Sequence, residues 1–337
     1  MRTRSLGNTG IVTSVLGFGC ATLFHVPRRS SRWRVLDAAF AAGIRHYDVA
    51  PIYGLGRAES ELAAFLGERR SEVTITTKFG IEPTLLGRAA GLGQPPIRSA
   101  LRHLPHVQAG LQTSARGPDS GFAGRALYRQ VTFSPKSAEV ALTRSLRALN
   151  TEYIDVFVLH EPVGHLAEGL ELADYLNAER DRGRIRAWGT AGEDGDNDAQ
   201  MVNHLPGLQV VQQRDDLLHP PSPMPKGNHL GRITFGILGR ALPRILSLLS
   251  AQPKLSRDLS DTLGVDVSRP DNLMGLLLRE ALRRNTRGSV LFATTRPDRI
   301  SRAASAVDAA PTPLESEVLQ KLGTALGIRP HTVGEFP

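Results

Sequence analysis

Short apolar runs rich in β-branched residues alternate with amphipathic helical stretches along most of this 337-residue chain, and that alternation restricts the fold more than any single motif does. Residues 31–43 place Leu36, Ala39, Phe40 and Gly43 at i, i+3, i+4 and i+7, a helical stripe ending on a glycine. Residues 44–49 follow at once as a strand. Residues 57–67 read as the next helix and residues 73–77 as the next strand. Ser134 as N-cap and Pro135 at the first helical position open a helix striped by Leu142, Leu146 and Leu149, and the strand 154–159 comes after it. Helix 170–182, strand 185–190, strand 208–212, strand 233–238, helix 271–285 and strand 289–293 continue the series. With residues 15–20 as the first strand, the count reaches eight. Strands joined through helices pair in parallel, which argues for β/α packing; the length allows two domains, and one α/β barrel with insertions also fits. Ahead of the barrel, residues 1–13 read as a hairpin around Gly7-Asn8-Thr9-Gly10.

Two places break the rhythm. After the third strand, residues 80–133 are rich in Gly and Pro, with Pro95-Pro96 and Gly117-Pro118 as breakers and a short helix expected near 97–104. Between Ile81 and Lys136, Arg88, Arg98, Arg102, Arg116, Arg125, Arg129 and Lys136 stand against Glu82 and Asp119. A loop of this length inside a domain points to a functional lid, here a basic one, or to a flexible insertion. After the sixth strand, the prolines of residues 219–225 reduce the expected helix. The whole reads as one domain, residues 1–337, carrying 80–133 as an inserted segment.

Composition narrows the setting. Cys20 is the single cysteine, so no internal disulfide forms and a reducing compartment fits. No stretch approaches the roughly 20 apolar residues of a membrane span, and the first residues do not read as a secretory signal, so the cytoplasm is expected. The net charge of +8 comes from arginines dispersed along the chain without a groove-reading motif, which argues against a nucleic-acid partner.

Four residues are poor packing material for the places they occupy. Asp48 ends the second strand, Tyr53 sits on the loop after it, Lys78 ends the third strand and His160 ends the fourth. Buried, each needs a polar partner. If the strand ends converge on one rim, they form a proton-transfer set. Asp48-x4-Tyr53, then Thr77-Lys78, then Leu159-His160, resemble the catalytic tetrad of the aldo-keto reductases in spacing and order. The resemblance runs from about residue 17 to about residue 300. It implies an NADPH-dependent carbonyl reductase on a (β/α)8 barrel. A tyrosine has a pKa near ~10, and a nearby ammonium is expected to lower it. Tyr53 is therefore expected as general acid/base, with Lys78 and Asp48 tuning it and His160 orienting the carbonyl.

The resemblance also implies a cofactor pocket, and the sequence departs from it in places. The family holds the nicotinamide amide with a Ser-Asn pair after strand five and a Gln on strand six. Gln212 is present, but the pair is replaced by Ala191-Gly192. The aromatic that stacks on the nicotinamide aligns with Asp215, a poor stacking surface. Ala293, Thr294, Thr295, Arg296 and Arg299 can grip the 2′-phosphate through hydroxyls, a helix N-terminus and charge. The family's adenine-binding Glu-Asn pair aligns with Arg302-Ala303. Leu238 completes the pocket. Gly19 lets a cofactor approach or allows a barrel bend, and Cys20 touches the nicotinamide region or is a small filler. The expected function is hydride transfer between NADPH (or NADP+) and a small-molecule aldehyde, ketone or corresponding alcohol, a sugar among them, with no metal and no membrane involved. The alternative is a barrel that lost redox activity and works as a lyase, an isomerase or a ligand-binding protein.

Overall fold

The computed structural model describes residues 1–92, 126–162, 166–193, 201–219 and 229–328. Eight parallel strands close into a barrel: β3 (Leu16–Gly19), β4 (His46–Asp48), β5 (Thr74–Phe79), β8 (Ile154–His160), β9 (Ile185–Gly192), β10 (Val210–Arg214), β11 (Gly231–Phe235) and β12 (Gly288–Phe292). Each strand pairs with the next along the chain, and β12 returns to β3. The (β/α)8 expectation holds. Ahead of the barrel, β1 (Thr3–Ser5) and β2 (Val12–Ser14) form the antiparallel hairpin.

The period-two alternation of the strands divides the apolar residues into two cores. Val156 and Val158 of β8, Ala187 and Ala191 of β9, Val210, Ile233 and Leu291 cluster inside the barrel. Leu6 and Ile11 of the hairpin join that cluster and plug one end. Their alternates Phe157, Trp188 and Val211 belong to the larger core between strands and helices. Gly189 is required where β9 meets β10, because a Cβ there would lie 1.7 Å from the carbonyl oxygen of Val210.

The helices form for the reasons read in the sequence. Ser134 caps the helix Pro135–Leu149 by accepting from the Ser137 N–H, and Asn150 ends it in the left-handed region. The helices Arg29–Ala41, Ala58–Leu66, Gly169–Asp181 and Pro270–Arg284 also stand within a residue or two of their expected bounds. The seventh strand stops at Phe235, short of the expected 238, because Gly236 turns the chain at a φ of 84°. The helices Leu85–Leu92, Ala241–Ala251, Pro253–Leu263 and Pro313–Ala325 were not anticipated. The last carries a full capping box between Thr312 and Glu315.

The insertion opens and closes as ordered structure. β6 (Ile81–Pro83) and β7 (Tyr128–Gln130) pair antiparallel, and a helix Leu85–Leu92 leaves from β6. Buried Glu82 receives Arg88, Arg129 and Arg144 at 3.9, 3.3 and 2.6 Å. Two of the basic residues counted toward a basic lid are therefore neutralised at its base. The helix expected near 97–104, with Arg98, Arg102, Arg116, Arg125 and Asp119, lies outside the described residues. No helix follows β10 up to residue 219, and residues 220–228 also lie outside.

Away from the mouth, Asp155 ties three strands together. Its carboxylate accepts from the Ile75 N–H at 2.9 Å, from Arg70 at 2.9 Å and from Arg186 at 2.7 Å. Removing one member of a buried charge network strands the others. Asp155→Ala should lower the stability of the barrel by about 3 kcal/mol, seen as a lower urea midpoint with an unchanged slope.

Candidate active site

Strand register brings the tetrad together. Asp48 lies beside Thr76, so Lys78, two residues further along β5 on the same face, stands one step nearer the rim. Its ammonium contacts both Asp48 carboxylate oxygens at 2.7 Å and the Val49 carbonyl at 3.3 Å. Tyr53 follows β4 on a single 3-10 turn. Its ring centroid lies 5.2 Å from the Lys78 nitrogen. Gly54, Leu55 and Gly56 after it all have positive φ, and a Cβ on Gly54 would press to 2.4 Å from the Phe24 ring. The turn is thus fixed by glycines and packing. His160 ends β8 beside Ala191 of β9, and Ala191 lies beside Gln212 of β10. All four tetrad residues are nearly or fully buried.

The electrostatics refine the expected roles. Burial, then the charge of Asp48, hold the Tyr53 phenol well above its ordinary range. Lys78 does not outweigh them, because Asp48 takes up its ammonium. Tyr53 is therefore a firmly protonated donor in this arrangement, not one already poised to ionise. Burial pushes Asp48 upward, opposed by the Lys78 charge and by a hydrogen bond from Gln212. Burial and the Lys78 charge push His160 down to about 3, so its ring is neutral, and its Nδ1 is buried without a partner. A neutral imidazole, a neutral phenol and an ammonium–carboxylate pair at one rim can orient a carbonyl oxygen and deliver a proton to it.

The residues assigned to a cofactor scatter differently. Gln212 faces inward, 3% exposed, and its Oε1 has no partner. Gly19 is buried, yet a Cβ there would meet Ala293 only at 3.5 Å, which leaves room on the mouth side. Cys20 is fully buried, and burial pushes its thiol up, as a filler's would be. Thr294 accepts from the Arg296 N–H at 3.2 Å. Ala293, Thr295, Arg296 and Arg299 are exposed at the start of the helix Pro297–Ala306, with Arg296 paired to Asp298 at 2.8 Å. Leu238 is half-buried and packs against the outer core.

Asp215 is not at the mouth. Alternation along β10 turns Asp215 to the helix side with Val211 and Gln213, where it is fully buried and paired to Arg284 at 3.1 Å. One residue of offset reverses the face of a strand residue. The aromatic that faces inward is Phe235, two residues beyond the inner Ile233, with the Arg214 guanidinium carbon 5.7 Å from its ring centroid. The period-two pattern from Ile233 would have found it.

Four charged residues of the rim also escaped the sequence reading. Arg214, two residues beyond Gln212 on the inner face, pairs with Glu193 at 2.7 Å and Asp216 at 3.2 Å. Arg240 reaches Glu193 at 3.6 Å. Glu161, directly after His160, adopts a φ of 52° and donates its backbone N–H to the Ala191 carbonyl at 2.7 Å. Burial and the charge of Glu193 push its carboxyl upward.

Comparison with known proteins points one way. The model of the aldo/keto reductase family matches residues 15–214. A D-threo-aldose 1-dehydrogenase of a Pseudomonas species is 29% identical over 225 residues, 63% of this chain and 60% of that protein. A pyridoxal 4-dehydrogenase of Microbacterium luteolum is 38% identical over 96 residues, 28% of each chain. The chain thus spans well under two thirds of the length of either relative. Among solved structures, an aldo-keto reductase of Bacillus halodurans in its holo form superposes with a TM-score of 0.69 at 20% identity, covering 96% of both chains, a likeness of fold.

Two buried histidines make the barrel acid-sensitive. Inside it, His46 bonds Thr74 at 2.9 Å and Thr76 at 3.3 Å, and burial pushes it down to about 3, like His160. Both are neutral when folded and protonate near ~6.5 when unfolded. Their contribution is present above ~6.5 and is lost as pH falls toward 3, at about 1.4 kcal/mol per pH unit for each. Urea unfolding at pH 6.0 and 4.5 should show His160→Asn losing stability less steeply than the wild type by about 1.4 kcal/mol per unit.

Proposed function

The chain belongs to the aldo/keto reductase family, and from that premise we propose that it interconverts an aldehyde or ketone and the corresponding alcohol using NADP(H). The observation that carries this reading is the Lys78–Asp48 pair at 2.7 Å beneath Tyr53, with neutral His160 on the same rim.

The mouth fits a nicotinamide dinucleotide. The unpartnered Oε1 of Gln212 is a buried acceptor suited to a carboxamide N–H. The Phe235 ring supplies the aromatic surface that Asp215 cannot. Thr295, Arg296 and Arg299 at a helix start suit a 2′-phosphate, which favours NADP(H) over the unphosphorylated form. Bound there, the dinucleotide supplies or accepts the hydride.

The chain's own residues handle the proton. In reduction, Tyr53 donates its phenolic proton to the carbonyl oxygen. Lys78 beside the ring stabilises the phenolate left behind, and Asp48 keeps that ammonium in place. His160 orients the carbonyl oxygen by hydrogen bonding. In oxidation the same phenolate takes the proton of the alcohol. The substrate we favour is hydroxylated rather than anionic. The described rim balances Glu161 and Glu193 against Arg214 and Arg240, leaving no excess of positive charge, and two similar proteins are named for an aldose and for pyridoxal. The alternative, a non-redox barrel, draws on the loss of the Ser-Asn pair at Ala191-Gly192.

Tyr53→Phe should lower turnover of hydroxylated aldehydes or of the corresponding alcohols by roughly 10²- to 10⁴-fold. NADPH affinity, read by fluorescence titration, should stay within a factor of about two. Full activity in the variant would overturn the assignment of Tyr53. Absence of NADPH binding by the wild type at millimolar concentration would select the non-redox reading.

A further inference from the structure

Replacing Ser-Asn by Ala191-Gly192 removes two side chains that hold a nicotinamide amide, and the structure shows what stands in their place. Glu161 and Glu193 flank Ala191. Glu193 is committed, since Arg214 and Arg240 both reach its carboxylate. Glu161 is not. Among the described residues its carboxylate receives one long contact, from the Glu193 N–H at 3.4 Å, and it is half-buried at the rim.

The backbone of Glu161 is specified with unusual care. Its φ of 52° is one of three positive values on non-glycine residues among the described residues. Such a conformation is unfavourable for a residue with a side chain and persists where the surroundings impose it. Here the Glu161 N–H is held by the Ala191 carbonyl at 2.7 Å, and Ala191 is in register with both His160 and Gln212. Glu161 is thereby fixed on one side of β9, and the unpartnered Gln212 Oε1 belongs to β10 on the other side. That Oε1 is a second observation, independent of Glu161: a buried acceptor left unsatisfied costs free energy unless a ligand supplies a donor. Two acceptors flanking a featureless Ala-Gly step suit a group with two N–H bonds on one nitrogen, a primary carboxamide.

We propose that Glu161 takes the place of the absent Ser-Asn pair by accepting a hydrogen bond from the carboxamide NH2 of the nicotinamide, while Gln212 Oε1 takes the other N–H, as the family resemblance already implies. This rests on the dinucleotide reading above. The proximity is also felt electrostatically: the charge of Glu161 contributes to the upward shift of Tyr53, and Lys78 acts on Glu161 in turn.

The test uses the full chain and four titrations by fluorescence or calorimetry. The probes are NADP+, its 3-acetylpyridine analogue, which has a methyl ketone and no N–H, NADPH, and 2′-phospho-ADP-ribose, which lacks the nicotinamide. The wild type should bind NADP+ roughly ten- to hundred-fold more tightly than the analogue. In Glu161→Leu that preference should shrink to within about three-fold, while Glu161→Gln, which keeps an acceptor, should retain most of it. Equal affinity of all three proteins for 2′-phospho-ADP-ribose shows that the fold and the phosphate grip are intact. An undiminished preference in Glu161→Leu, or none in the wild type, overturns the assignment of Glu161 and leaves the dinucleotide reading standing. Failure of the wild type to bind NADP+ and NADPH overturns both.

Discussion

The upper half of the barrel depends on one buried ion pair, Lys78 with Asp48. Removing two charges from water is expensive, and the pair is tolerated only because its geometry is nearly ideal. The ammonium meets both carboxylate oxygens at 2.7 Å and a backbone carbonyl at 3.3 Å. That geometry fixes the relation of β4 to β5, since a one-residue slip would turn Lys78 out of the barrel. It also sets the chemistry. A lysine without Asp48 would tend to neutralise in this interior, and a phenolate formed at Tyr53 would then lack its counter-charge. Toward the hairpin, the barrel is filled by Val156, Val210, Ile233 and Leu6, and by the neutral His46, Thr74 and Thr76 cluster. Charge is concentrated where the strands end.

The same accounting explains part of the basic composition. Most of the chain's buried carboxylates outside the tetrad sit against arginines: Glu61 with Arg32, Glu82 with three arginines, Asp155 with Arg70 and Arg186, Glu179 with Arg182 and Arg184, Asp215 with Arg284. Guanidinium suits these sites because it stays charged and offers forked donors. Nine of the 41 basic residues, a part of the chain's positive charge, thus answer buried carboxylates.

What could be read from the sequence followed from position along strands. Asp48, Lys78 and His160 were legible because each ends a recognisable strand, and a strand end in a parallel barrel can only lie on one rim. Asp215 owed its place to its alignment with the family's stacking aromatic; the alternation begun by Val210 and Gln212 sends it outward, and that of Ile233 sends Phe235 inward. The helices over 241–263 were legible too, since Ala241, Ile245 and Leu249 recur at helical spacing and Pro253 and Gly264 mark a start and a stop, but they were passed over. The capping box of Thr312 and Glu315 was a usable sign of the last helix. Glu161 left no sequence signal at all. Its left-handed backbone is imposed by the Ala191 carbonyl across the strand gap, a tertiary contact.

The floor and the rim of this mouth are constrained to different degrees, and the physical reason is visible. The floor groups hold one another: Asp48 binds Lys78 and Gln212, and Lys78 acts on Tyr53 and His160. Changing one leaves another buried and unsatisfied, so the set changes together or not at all. Rim side chains face solvent on one side, and losing one costs only its own contact with a ligand. Ala191-Gly192 can therefore lose its polar groups without penalty to folding, provided that nearby acceptors remain. Glu161, with spare acceptor capacity, and Gln212, with an idle one, stand on either side of that gap. A pocket can in this way exchange the residues that hold a ligand while the proton-transfer set beneath stays fixed.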